Sequence, residues 1–253
     1  MASMVLRDVV VDIPVYNAST RSLKNNVVSA ATGGRVVLGG GRTFVRAVDG
    51  LSLELGHGTR LALVGHNGAG KSTILKVMAG IYHPTAGRMR SEGTVASMFD
   101  IGFGMDEDAT GWDNIALRGR LLGFSRREIA KRTPEIAETS ELGRFLDMPL
   151  RTYSTGMATR LAFAISTAID PDILLVDEGI GAGDAAFLER AKQRMEGFVG
   201  RAGLLVVASH SDDLLLRWCT TGAWMEHGRL RLLGPIREVL DAYHGRDRRE
   251  AAE

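Results

Sequence analysis

The sequence predicts an α/β domain with a mostly parallel core sheet, an added antiparallel β layer and an inserted helical subdomain. Three observations carry that prediction. Short apolar runs of buried-strand length, "RLALV", "ILLV" and "LLVVA", recur along the chain with helix-period segments between them. An early stretch, "LSLEL", instead alternates Leu51, Leu53 and Leu55 with Ser52 and Glu54, which suits a strand with one wet face. Between the first two apolar runs lie residues 110–169, where apolar positions follow helical spacing.

Each element follows from its residues. Residues 9–16 read as a strand. Residues 17–41 are polar and Gly-rich, with glycines at 33, 34 and 39 to 41, and read as a loop or a poorly ordered insertion. "FVRAVDGLSLEL" resumes strand character, and "RLALVG" is a buried strand ending at Gly65. A helix over 71–79 closes at Gly80. "REIAKRTPEIAETSELGRFL" has helical spacing but is broken at Pro134, which lacks an N–H and crowds the preceding turn. After "ILLVDE", a helix over about 185–200 leads to "GLLVVASH". "GAWMEHGRLRLLG" is a hairpin turning at His227-Gly228. The expected organisation is one domain over 1–245, a helical subdomain over about 108–170, and a charged, frayed tail over 246–253.

Composition narrows the function classes. With 253 residues, 45% of them hydrophobic, the chain can bury a large core. A formal net charge of +1 gives no electrostatic reason to expect nucleic acid as a partner. The single cysteine, Cys219, permits no intramolecular disulfide and fits a reducing compartment. No apolar run approaches the ~20 residues that span a bilayer. The N-terminus "MASMVLRDVV" lacks the apolar core of a signal peptide. A soluble or peripheral cytoplasmic protein is expected.

"GHNGAGKS" fits G-x-x-x-x-G-K-[ST] and sits between a strand and a helix. Backbone N–H groups must turn inward around a β-phosphate there, and side chains at Gly68 and Gly70 would obstruct them. The candidate nucleotide contacts are Gly65, His66, Asn67, Gly68, Ala69, Gly70, Lys71, Ser72 and Thr73. Lys71 would reach the β- and γ-phosphates, and the Ser72 hydroxyl would coordinate Mg²⁺. Asp177 and Glu178 end a buried strand, at the sheet edge where α/β ligands bind. Asp177 would hold Mg²⁺ directly or through water, and Glu178 would polarise the attacking water. His210 closes the next strand, 33 residues after Asp177, and would contact the γ-phosphate from the same edge.

A second phosphate-facing helix start appears at "YSTGM". Ser154 suits an N-cap, and Gly156 allows close backbone approach. One loop already encloses one triphosphate. A second such helix start makes sense if it serves a nucleotide held by another copy, so that two chains enclose two ATP molecules.

The order "GHNGAGKS", "YSTGM", "ILLVDE", "GAGD", "SH" resembles the nucleotide-binding subunits of ATP-binding cassette (ABC) transporters, over roughly residues 9–234. The resemblance implies the phosphate-loop ATPase fold of that family, ATP and Mg²⁺ as cofactors, and a homodimer in which Ser154, Thr155 and Gly156 contact the partner copy's ATP. It implies that Asp184 belongs to a loop crossing the dimer interface, and that Phe44, or Tyr16 as a rival, stacks on adenine. Asp100, in "SMFDIGFG", stands near the position of the family's usual metal-linking Gln and is a candidate metal ligand.

"YSTGM", "DIGFGMDEDATGWDNI", "GAGDAAF" and "SHS" are further similar to the ATPase subunits of bacterial polysaccharide exporters, which carry lipid-linked O-antigen, teichoic acid or galactan chains. That similarity implies a separate integral membrane permease, two copies per assembly, a lipid-linked polysaccharide as transported substrate, and a peripheral location on the cytoplasmic face of a bacterial membrane. Many such subunits carry a C-terminal carbohydrate-binding domain, and this chain ends soon after Tyr243, so none is expected here. Three other readings compete. An exporter of another substrate, lipid or drug, would keep the same ATPase. A non-transport cassette ATPase would need a long coiled coil or two cassettes in one chain. A phosphate-loop kinase would have no use for "YSTGM".

Overall fold

The computed structural model describes residues 1–15, 35–39, 42–99, 101–168, 170–177 and 185–250. Tyr16, Asp100, Glu178 and Asp184 lie outside the described residues. Along the chain the elements are β1 (Ser3–Pro14), β2 (Arg35–Gly39), β3 (Arg42–Leu55), β4 (Arg60–Val64), α1 (Lys71–Met78), β5 (Ala86–Glu92), β6 (Val95–Ser97), α2 (Gly111–Leu121), α3 (Arg126–Ser140), 3-10 turns at Gly143–Asp147 and Leu150–Thr152, α4 (Thr155–Thr167), β7 (Ile173–Asp177), α5 (Ala185–Arg201), β8 (Leu204–Ala208), α6 (Asp212–Trp218), β9 (Thr221–Glu226), β10 (Arg229–Pro235) and α7 (Ile236–Glu250). They form two compact units, one of residues 1–95, 175–178 and 203–253, the other of residues 96–174 and 179–202.

The first unit holds both expected sheet types. Its antiparallel layer has the order β2-β3-β1-β5. Leu6 pairs with Leu53 and Ile13 with Val45. Met4, Leu6, Val9 and Val11 are buried with Leu51, Leu53 and Leu55, which gives the layer one apolar face. In the core sheet β4 runs parallel to β8 and to β9, and β10 returns antiparallel beside β9. β8 is buried at every position, as a strand covered on both faces must be.

The structure corrects three expectations here. β1 starts at Ser3, ahead of the expected residue 9. Residues 35–39, assigned to a loop, form β2, with Val36 opposite Val45 and Val37 opposite Phe44. Glycines on both sides hid a Val-Val-Leu core with strong strand preference. The charged tail also begins too early, because α7 continues to Glu250. Arg and Glu are good helix formers, so charge alone did not argue against helix.

The second unit is helical around a core of Ile115, Ile129, Ile136, Leu142, Leu146, Leu150, Leu161 and Ile165. Two capping boxes start its helices, Thr110 with Asp113 and Ser125 with Glu128. Glu128 is exposed, and its hydrogen bonds from the Ser125 side chain and backbone lower its carboxyl pKa. Helix α3 runs through Pro134 rather than breaking there. Pro134 lies on an exposed stretch, and the Ala130 carbonyl left without its N–H partner belongs to an exposed residue that water can reach. Nearby, the Thr133 hydroxyl donates to Ile129 O at 2.8 Å.

Candidate functional site

The first unit builds its site from the loop between β4 and α1. Gly65 (φ 149°), Gly68 (φ 82°) and Gly70 (φ 101°) occupy conformations that favour glycine. A Cβ at Gly65 would lie 2.3 Å from Met225 O, and one at Gly70 would lie 2.4 Å from Ala47 O. The need for glycine at 65 and 70 therefore comes from the backbones of β9 and β3. That adds to the expected reason at Gly70, which was obstruction of a phosphate. Gly70 also N-caps α1 with no side-chain hydrogen bond, so the first N–H groups of the helix meet no competing cap.

Lys71 is buried, with 8% of its surface exposed. Its Nζ donates to Gly65 O at 2.5 Å and to His66 O at 3.1 Å, which holds the ammonium inside the loop. A cavity of about 510 Å³ opens beside it. Its polar lining brings together Asn67, Gly68, Gly70, Lys71, Ser72, Thr73, Asp177 and His210. Residues 106 and 139 positions apart from Lys71 thus reach one site, as their place at strand ends predicts.

Gly65, His66 and Ala69 shape the loop without lining the cavity. His66 Nδ1 lies 2.7 Å from Asn67 O. Phe44 likewise does not line the cavity. Ile13, Val45 and Ala47 form its apolar wall. Val45 pairs with Ile13 on one face of the β1–β3 ribbon, and strand alternation turns neighbouring Phe44 to the other. The sequence reading missed this wall, although the two-residue strand period would have separated Val45 from Phe44. It also missed the last Ser of "SHS". Ser211 caps α6 by accepting from Leu214 N at 3.4 Å.

The arrangement fits a nucleoside triphosphate. The cavity falls in the usual range of about 300–1,000 Å³ for small-molecule sites. An uncapped helix start and a buried ammonium favour an anion. Among the described residues no cluster of three or more His, Cys, Asp or Glu side chains could form a metal cage. Ser72 and Asp177, which both line the cavity, fit the different case of Mg²⁺, which takes few protein ligands and completes its shell with phosphate oxygens and water.

In the second unit Ser154 caps α4 as expected. Its Oγ accepts from Met157 N at 3.2 Å, and Ser154 and Thr155 are exposed. A Cβ at Gly156 would meet nothing nearer than Ser154 Oγ at 3.8 Å, so neither packing nor backbone in this chain requires glycine there. Tyr153 and Met157 pack against the helical core. The Tyr153 hydroxyl donates to Phe145 O at 2.6 Å, and burial, with Asp147 nearby, pushes its pKa up.

Comparison with known proteins supports one family. The sequence model of the ABC transporter family matches residues 48–181. The O-antigen export system ATP-binding protein RfbE of Yersinia enterocolitica is 45% identical over 231 residues, covering 90% of this chain and 96% of that relative. The O-antigen export protein RfbB of Klebsiella pneumoniae is 39% identical, over 80% of this chain and 82% of its own. The teichoic acids export protein TagH of Bacillus anthracis is 35% identical over 78% of this chain but only 36% of its own length. Among solved structures, an ATP-binding subunit of an ABC transporter superposes with a TM-score of 0.68 over 95% of this chain and 93% of its own at 19% identity. The dimeric post-hydrolysis ATP-binding cassette MJ0796 does so with 0.65, over 92% of this chain and 99% of its own, also at 19%. At that identity the two structures speak for the fold alone.

Proposed function

The chain belongs to the ABC transporter family, and on that premise we propose that it is the ATP-hydrolysing subunit of an exporter moving a lipid-linked polysaccharide across the cytoplasmic membrane. The convergence of Lys71, Ser72, Asp177 and His210 on one cavity carries the ATPase reading. The O-antigen and teichoic acid relatives, at 35–45% identity over most of this chain, support the substrate class.

In this reading the amides of residues 65–73 wrap the β-phosphate, and Lys71 trades its loop carbonyls for β- and γ-phosphate oxygens. Mg²⁺, held by Ser72 and Asp177, would neutralise charge on those oxygens. Glu178 accepts the proton of the attacking water, and His210 donates to the γ-phosphate. Ile13 and Val45 offer the base an aliphatic surface. Ser154, Thr155 and Gly156 contact ATP on a second copy, a role supported by the exposed cap and by a glycine that its own chain does not require. Resemblance to the family assigns Asp184 to the loop that crosses that interface and makes Asp100 a candidate metal ligand.

Among the described residues no helix is long and apolar enough to cross a membrane. A separate permease, two copies per assembly, completes the exporter. Exposed apolar side chains of the helical unit, among them Leu117 and Leu121 one turn apart on α2, offer it docking contacts. The test is a Lys71→Ala replacement in cells. We expect ATP binding to fall below detection, surface glycan to disappear and lipid-linked glycan to accumulate inside. Normal surface glycan would reject the export reading, and normal nucleotide binding would reject the loop assignment.

A further inference from the structure

The hairpin turn between β9 and β10 is tied to the phosphate loop. His227 (φ 47°) and Gly228 (φ 80°) are both left-handed, as a two-residue hairpin of this type requires. Gly228 N donates to Ala69 O at 3.1 Å, and Gly228 O accepts from Asp49 N at 2.9 Å. The turn thus bridges the loop and β3. The packing is close, since a Cβ at Gly228 would lie 2.8 Å from Ala47 O. The His66 and His227 rings also meet, with centroids 5.3 Å apart.

Side chains lock this bridge. Arg229 Nε and Nη2 lie 2.8 and 2.7 Å from Asp49 Oδ2. Arg46 Nη1 reaches Asp49 Oδ1 at 3.4 Å. Arg46 also makes a two-pronged pair with Asp12, Nε to Oδ1 at 2.8 Å and Nη2 to Oδ2 at 3.0 Å. The hydrogen bonds that Arg46 donates to Asp12 raise the Arg46 pKa above its ordinary value. The Asp12 and Asp49 side chains are only 14% and 13% exposed, so these pairs are less screened than surface ion pairs. None of the four residues lines the cavity.

We propose that Asp49 and Arg229 are positioning residues for nucleotide binding. They clamp the hairpin turn onto Ala69 and hold the phosphate loop in the shape that receives phosphate. A loop with three left-handed glycines has many alternative conformations, and each must be given up on binding unless something outside the loop has already excluded it. The inference rests on the assignment of residues 65–73 as the phosphate loop.

The test uses the full chain with two ligands, MgATP and inorganic tripolyphosphate with Mg²⁺, which lacks the base and reports on the loop alone. Asp49→Asn and Arg229→Gln should each weaken both ligands about tenfold, as expected when a binding loop loses preorganisation. The double variant should be no weaker than either single one, and Arg229→Lys should recover most of the affinity. Full tripolyphosphate affinity in both single variants would overturn the proposal, whatever happens to thermal stability. Should Asp49→Asn fail to fold, the half-exposed Arg229 positions decide alone. Lys71→Ala separates the two failures. If it loses tripolyphosphate while the clamp variants keep it, only the clamp is wrong. If it binds normally, the loop assignment itself is wrong.

Discussion

At the residue scale, the two buried nitrogen-bearing side chains of α2 meet opposite fates. Asn114 is fully buried, and its amide donates to Asp106 O, Ala109 O and Thr110 O while its oxygen accepts from Asp106 N. It ties the preceding loop to the helix. Arg118 is 6% exposed, makes one 3.4 Å hydrogen bond to Ser166 Oγ, and leaves Nη1 without a partner. Burial lowers its pKa, which marks a charge held away from water. Replacing it by Met removes an unsatisfied donor and keeps the volume, so Arg118→Met should raise stability by about 1–3 kcal/mol. Thermal denaturation checks this, and a lower melting temperature would count against it. Cys219 shows the same desolvation without a functional consequence. Burial pushes its thiol up to about 12, against a small opposing effect of Arg60, so it stays protonated and inert.

At the element scale, backbone pairing overrode composition several times. β5 is exposed at most positions and has no apolar pattern, yet its register with β1, Val5 opposite Arg90, supplies the hydrogen bonds that make it a strand. β2 owes its place to the same effect. Helix α3 tolerates Pro134 because the eight helical residues before it, the six after it and a buried face at Ile129 and Ile136 outweigh one missing bond. The cost of that bond remains. Pro134→Ala restores an N–H to the Ala130 carbonyl and should stabilise the protein by up to about 3 kcal/mol. Chemical denaturation of the two forms measures it, and an unchanged midpoint would show that the chain gains as much from proline's stiffness when unfolded as the helix loses.

At the scale of the whole molecule, the proposed division of labour between two copies makes a prediction of its own. Ser154→Arg places a bulky cation at the exposed start of α4, far in sequence from Lys71. It should cut ATP turnover at least about tenfold and leave the affinity of the isolated chain for ATP nearly unchanged. Loss of affinity in the single chain would mean that Ser154 acts on its own nucleotide. The parts of the site that were legible in the sequence share a physical cause. A phosphate loop needs glycine, lysine and a hydroxyl at fixed offsets, and a carboxylate or imidazole after a buried strand emerges at the ligand edge of a parallel sheet. The convergence of Lys71, Ser72, Asp177 and His210 on one cavity was therefore readable from the sequence. The apolar wall of Ile13 and Val45, the close approach of β3 and β9 that demands Gly70 and Gly65, and the Asp49–Arg229 clamp were decided only by tertiary structure. They join residues up to 180 positions apart, and their chemistry comes from which strands lie side by side, a relation that local periodicity does not encode.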